Sequence, residues 1–160
     1  MRLLVALSAA ILSGCSGPER VISVRQNIHH DDFEYSVQGV ETKDRIGARL
    51  PAGRFYVVTF QVENRARAVD HRWGNDIAYL VDERGATYEN DDGAQSALAR
   101  VDPFELKDAY ITRPGAIERT RLVFDVPRGV NEPYLKVRGL RLMGDVFDGD
   151  QFRRTRVKLF

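Results

Sequence analysis

Residues 55 to 63, Phe55-Tyr56-Val57-Val58-Thr59-Phe60-Gln61-Val62-Glu63, decide the fold class. Tyr56, Val58, Phe60 and Val62 fall on one face of an extended chain and Thr59, Gln61 and Glu63 on the other, the period-two pattern of a half-buried strand. Aromatic and β-branched side chains suit such a pleated surface. The stretch reads as a central strand.

The same alternation recurs on both sides of it. Phe33, Tyr35 and Val37 alternate with Glu34, Ser36 and Gln38; Leu122, Phe124 and Val126 alternate with Arg121, Val123 and Asp125 until Pro127, which cannot donate to a ladder. Ile77, Tyr79 and Val81 precede the turn signal Asp82-Glu83-Arg84-Gly85, and Ala86-Thr87-Tyr88 resumes beyond it, as in a hairpin. In Tyr134 to Leu142 the apolar phase switches at Gly139, which suggests a bulge. Thr155, Val157 and Leu159, between Arg154, Arg156 and Lys158, read as a closing strand. One helix candidate exists, Gly93 to Arg100. Seven or more short strands without alternating helices predict an all-β chain, two antiparallel sheets packed as a β-sandwich over residues 21–160.

Composition narrows the function classes. The 160 residues are 43% hydrophobic, enough for one domain with a real core. The 24 Lys+Arg nearly balance 23 Asp+Glu, a formal charge of +1, so no strong field draws the chain to nucleic acid. One cysteine allows no internal disulfide or cysteine-cluster zinc site, and three histidines leave little material for a metal centre. Neither a cofactor nor a metal is expected.

The N-terminus carries an address. Met1-Arg2 is a positive start, and Leu3 to Leu12 is an apolar run ending in small residues, as in a secretory signal. Ten helical residues span about 15 Å, half of a hydrocarbon core of about 30 Å, so this run is too short to stay as a transmembrane helix. Leu12-Ser13-Gly14-Cys15 resembles the lipobox of bacterial lipoproteins, in which the peptidase cuts before a cysteine whose thiol takes a diacylglyceryl group. That resemblance makes residues 1–14 a cleaved signal peptide, Leu12, Ser13 and Gly14 its processing residues, and Cys15 the site of lipidation, with palmitate-type chains in the membrane. Several acyl chains hold a protein stably where one does not. Residues 15–20 are then the lipidated cysteine and a short linker, too short to cross a periplasm. Ser16, where an Asp resembles an inner-membrane retention signal, points to the outer membrane facing the periplasm.

A second resemblance covers about Phe33 to Val137. Gly53 to Asn64, then Ile77-Ala78-Tyr79-Leu80-Val81-Asp82-Glu83-Arg84-Gly85-Ala86-Thr87-Tyr88, then Ile111-Thr112-Arg113-Pro114-Gly115 and Leu122-Val123-Phe124-Asp125-Val126-Pro127, resemble the DUF4352-type extracellular domains. The resemblance implies an immunoglobulin-like sandwich related to a mycobacterial secreted antigen, common in lipoproteins. It carries no catalytic residue. Asn64 and Pro114-Gly115 serve turns in this reading, and the flanking strands serve the core.

Other clusters have plain readings. His29-His30-Asp31-Asp32 offers imidazole and carboxylate, but neighbours on a strand point to opposite faces, so a metal recruits His29 with Asp31, or His30 with Asp32, and needs distant ligands. A solvated loop leading into a strand is the favoured reading. Asp145-Val146-Phe147-Asp148-Gly149-Asp150 and Glu89-Asn90-Asp91-Asp92-Gly93 concentrate carboxylates that suit calcium, yet neither matches an EF-hand, and hairpin turns are favoured. Gly144 and Gly149 have phosphate-loop spacing without the Lys-Ser/Thr. No Gly-x-Ser-x-Gly or His-Glu-x-x-His occurs, and His71 beside Asp70 reads as a neutral surface histidine. All but four of the basic residues are arginine; Arg153, Arg154 and Arg156, interleaved on a strand, offer a face for lipid headgroups or a partner. The expected function is therefore a membrane-anchored cell-envelope lipoprotein, a noncatalytic protein-binding or assembly module. Its expected partners are the lipid bilayer, through acylated Cys15, and an envelope protein. The alternative is a periplasmic ligand- or cation-binding lipoprotein using the acidic loops.

Overall fold

The computed structural model describes residues 18–160. Along the chain, β1 (Arg20–Ser23), β2 (Asn27–His30), β3 (Phe33–Lys43), β4 (Arg54–Asn64), β5 (His71–Gly74), β6 (Ala78–Val81) and β7 (Thr87–Tyr88) precede helix α1 (Asp92–Val101). Strands β8 (Ala109–Thr112), β9 (Ile117–Val126) and β10 (Tyr134–Val137) follow, and helices α2 (Met143–Asp148) and α3 (Gln151–Arg154) lead into β11 (Thr155–Lys158). One sheet is ordered β2-β3-β4-β9, the other β1-β11-β10-β6-β7, and β5-β8 form a separate ribbon. The fold is an immunoglobulin-like β-sandwich. Its neighbouring strands are antiparallel except β1, which runs parallel to β11 with Arg20 opposite Thr155.

The seam between the sheets is apolar. Tyr56, Val58, Phe60 and Val62 of β4, as expected, with Leu122, Phe124 and Val126 of β9, meet Leu80, Leu135, Val137 and Val157 from the facing sheet. In β6 the inward pair is Ala78 and Leu80, not Tyr79 and Val81. That strand is apolar on both faces, so alternation gives its period without its phase. Tyr79 instead lies beneath the guanidinium of Arg138, 4.3 Å from its centre.

The outer face of β4 and β9 is covered as well. Phe55, Val57 and Val123 pack with Ala94, Ala97 and Leu98 of α1 and with Ile46. The Asp91 side chain caps α1 by accepting the Ala94 N–H at 2.8 Å. Its neighbours close the edge of β9: Asn90 Oδ1 accepts the Val123 N–H at 2.8 Å, and the Gln95 amide donates to the Arg121 carbonyl at 2.8 Å. An edge strand that otherwise offers unpaired backbone groups is thereby partly blunted.

Two motifs of the family resemblance acquire a structural meaning. The Asp125 carboxylate accepts the N–H groups of Ala52 and Gly53 at 2.6 and 3.0 Å, and a Cβ at Gly53 would stand 2.0 Å from the Val126 carbonyl oxygen. Only glycine permits that approach. Gly115, in the left-handed region at φ 75, donates its N–H to the Asn64 carbonyl at 2.8 Å, and the buried Asn64 amide bonds Thr112 O and Val69 O at 2.8 and 2.7 Å.

The last quarter of the chain departs from expectation. β10 stops at Val137, so Gly139 lies outside any strand and marks no bulge. Where a hairpin turn over Asp145 to Asp150 is expected, Met143–Asp148 instead form α2, closed by Gly149 at φ 70. A helix of under two turns leaves no measurable period in the sequence, and tertiary contacts hold it. Arg153 and Arg154 belong to α3 rather than to a strand, and Arg156 is turned to Glu19 at 3.3 Å, so the three do not form one basic face.

Candidate functional site

The β2–β3 hairpin carries the densest polar chemistry of the described residues. Its turn is Asp31-Asp32, with Asp31 in the left-handed region at φ 54, which places His30 opposite Phe33 and aims His30 inward. His30 is buried, contrary to the solvated-loop expectation, whereas His29 on the other face is exposed.

Four side chains join in a row. His30 Nε2 lies 3.1 Å from Asp145 Oδ2 and 3.0 Å from the Leu140 carbonyl oxygen, while Nδ1 lies 2.9 Å from the Tyr35 hydroxyl. That hydroxyl stands 3.0 Å from His71 Nε2. Two acceptors at Nε2 require a proton on that nitrogen of His30. Asp145 is wholly buried; its Oδ2 also accepts the Leu142 N–H at 2.6 Å, and its Oδ1 has no hydrogen-bond partner among the described residues.

Aromatic rings enclose the row. Phe152 stacks on His30 at 3.8 Å between centroids, and Phe33 stacks on His71 at 4.0 Å. Burial first, and the neighbouring His30 second, hold the His71 pKa down at about 4, so the ring is neutral at physiological pH as expected, though it is partly buried rather than on the surface. Burial, followed by the charge of Asp145, pushes the Tyr35 hydroxyl well above its ordinary range, so it stays protonated. Gly139 completes the enclosure: a Cβ there would stand 2.5 Å from His30 Cε1.

The arrangement suits holding shape better than reaching a substrate. His30, Tyr35 and Asp145 are at most 2% exposed, and the row ties β2, β3, β5 and α2 together. Asp145 was the missed member. Nothing in the local sequence distinguishes it from Asp148 or Asp150, because its partner lies in the first strand hairpin.

The second acidic loop lines a cleft of about 420 Å³ whose walls include Asp76, Glu89, Asp92 and Asp108. Much of that charge is already met: Arg138 donates to both Glu89 oxygens at 2.6 Å, and this pairing depresses the Glu89 pKa. Among the described residues, no three His, Cys, Asp or Glu side chains converge as metal ligands. Leu12, Ser13, Gly14 and Cys15 lie outside the described residues.

No family model matches the chain, and no curated protein is similar to it in sequence. Solved structures resemble it in fold. A conserved hypothetical protein of Bacillus anthracis is 20% identical with a TM-score of 0.56, the match covering 72% of this chain and 89% of that one. The secreted protein MPT63 of Mycobacterium tuberculosis is 14% identical with a TM-score of 0.57, over 78% of this chain and 92% of that one. A β-sandwich protein of Clostridium difficile is 10% identical with a TM-score of 0.50, over 89% and 95%. What they share is the sandwich.

Proposed function

We propose that this chain is a cell-envelope lipoprotein with a DUF4352-type domain, tethered through acyl chains on Cys15 and acting as a noncatalytic protein-binding or assembly module. The observation that carries the noncatalytic reading is the sealing of the His30–Tyr35–Asp145 row, whose ionisable groups are spent on one another. The Leu12-Ser13-Gly14-Cys15 sequence carries the tether, and β1 begins at Arg20, so little chain separates the sandwich from its lipid. The secreted M. tuberculosis neighbour agrees with a place outside the cytoplasm, and Ser16 favours the outer membrane.

Crosslinking in intact cells followed by mass spectrometry tests the module. A specific envelope protein recovered with the wild type and lost on Cys15→Ala, which strips the tether, supports it; recovery of only abundant neighbours counts against it. The acidic cleft at Asp76, Asp92 and Asp108 favours a second reading, a binding site for a cationic ligand. Calorimetry with calcium and zinc separates the two, since a ligand held by the folded state raises the melting temperature.

A further inference from the structure

Four large apolar side chains crowd residues 140–147 at the surface: Leu140, Met143, Val146 and Phe147 are 84, 76, 53 and 85% exposed. Met143, Val146 and Phe147 stand at i, i+3 and i+4 in α2 and share a face. Scattered apolar residues are ordinary on a surface, but a contiguous group marks an interaction site.

This face is held in place from beneath. Asp145, between Met143 and Phe147, is locked to buried His30, and the Gly144 N–H donates to Asp31 at 3.3 Å. The same end of the molecule receives the N-terminal chain. The Arg154 guanidinium donates to Gly149 O at 2.9 Å, to Asp148 O at 3.4 Å and to Pro18 O at 3.3 Å, so one side chain joins the C-terminal end of α2 to the first described residue. Three residues back from Pro18 is Cys15, a covalent reach of about 10 Å at full extension.

We propose that the apolar face of α2 lies in the interfacial layer of the same membrane that holds the acyl chains of Cys15, so that the sandwich stands in one orientation rather than swinging on its tether. This inference rests on the tether reading. A bilayer within reach of the linker is present at high effective concentration, which a freely diffusing protein partner is not. Arginine fits the border of such a face, because its stem accepts an apolar surface while the guanidinium meets lipid phosphate. Exposed Arg141 and Arg153 are so placed: Arg141 follows Leu140 in the chain and pairs with Asp150 at 2.9 Å, and Arg153 donates to the Gly139 carbonyl at 3.2 Å, next to Leu140.

The test uses the full lipidated chain, purified from membranes, its acyl mass measured, and reconstituted into vesicles of phosphatidylethanolamine and phosphatidylglycerol. A thioether at Cys15 does not react with maleimide, so an environment-sensitive probe labels only an introduced cysteine. Met143→Cys and Phe147→Cys report from the face. Leu50→Cys is the control, 68% exposed in the loop between β3 and β4, about 34 Å along β3 from the β2–β3 turn. The proposal expects probes at 143 and 147 to be shielded from aqueous iodide several-fold relative to position 50, and quenched by spin-labelled lipid. Iodide reaching all three equally, on protein that carries acyl mass, overturns the docking and leaves the tether standing. Absence of acyl mass overturns the tether itself and the docking with it. Shielding in whole cells but not in protein-free vesicles assigns the face to a protein and also overturns the proposal.

Discussion

His30 of β2 and Asp145 of α2 meet at 3.1 Å with both side chains sealed from water, and this contact fixes where α2 stands. Removing one member of a buried pair strands the other, at a cost of about 3–5 kcal/mol. His30→Ala also removes the ring that stacks on Phe152. The expected result in urea unfolding is a loss in that range. Asp145→Asn keeps an oxygen acceptor opposite His30 Nε2 and is expected to cost less; equal losses would show that the carboxylate itself, not the hydrogen bond, holds the contact.

Gly139 lets the imidazole of His30 approach. Gly139→Ala puts a methyl 2.5 Å from His30 Cε1, and overpacking of this kind costs about 1–3 kcal/mol. Denaturant midpoints check this, and the variant is expected to be additive with Asp91→Ala but not with His30→Ala, since His30 shares the space and Asp91 does not.

Asp91 is the cap of α1, the helix that covers the outer face of β4 and β9. Asp91→Ala is expected to cost about 0.5–2 kcal/mol in equilibrium unfolding. Hydrogen exchange is expected to rise first at the Ala94 N–H and at the Val123 N–H, which Asn90 covers.

His71, with Tyr35 and Phe33 against its ring, supplies a pH dependence. Its pKa is about 4 in the folded chain and about 6.5 when unfolded, so the unfolded state binds the proton more readily between those values. Its contribution is fully present above pH 6.5 and is lost as the pH falls through the window to 4. Melting temperatures measured from pH 7 to 4 are expected to fall more steeply in the wild type than in His71→Asn. Parallel curves would count against a neutral, partly buried His71.

Legibility in the sequence followed burial. β4 and β9 carry eleven and ten residues of alternation, so Tyr56, Phe60, Leu122 and Phe124 were placed correctly from period alone. α1 was legible as the short helix candidate Gly93 to Arg100, but Glu89 to Gly93, expected in a hairpin turn, instead supplies its cap, Asp91, and the start of its first turn. β6 was legible as a strand but not by face, since Tyr79 and Leu80 are both apolar and only the facing sheet chooses between them. α2 was hidden because six residues give no period. The His30–Asp145 contact was hidden because a sequence places side chains on local faces, whereas this pairing depends on how the last connection folds back over the β2–β3 turn.

Acyl chains on Cys15 are proposed to stand this sandwich on a membrane. Mass spectrometry of the N-terminal peptide from the full 160-residue chain, produced in a bacterial host, is the decisive measurement. The account predicts a peptide that begins at Cys15 and carries the added mass of a diacylglyceryl group. A peptide that begins elsewhere, or a Cys15 thiol that is free to react with maleimide, would contradict it.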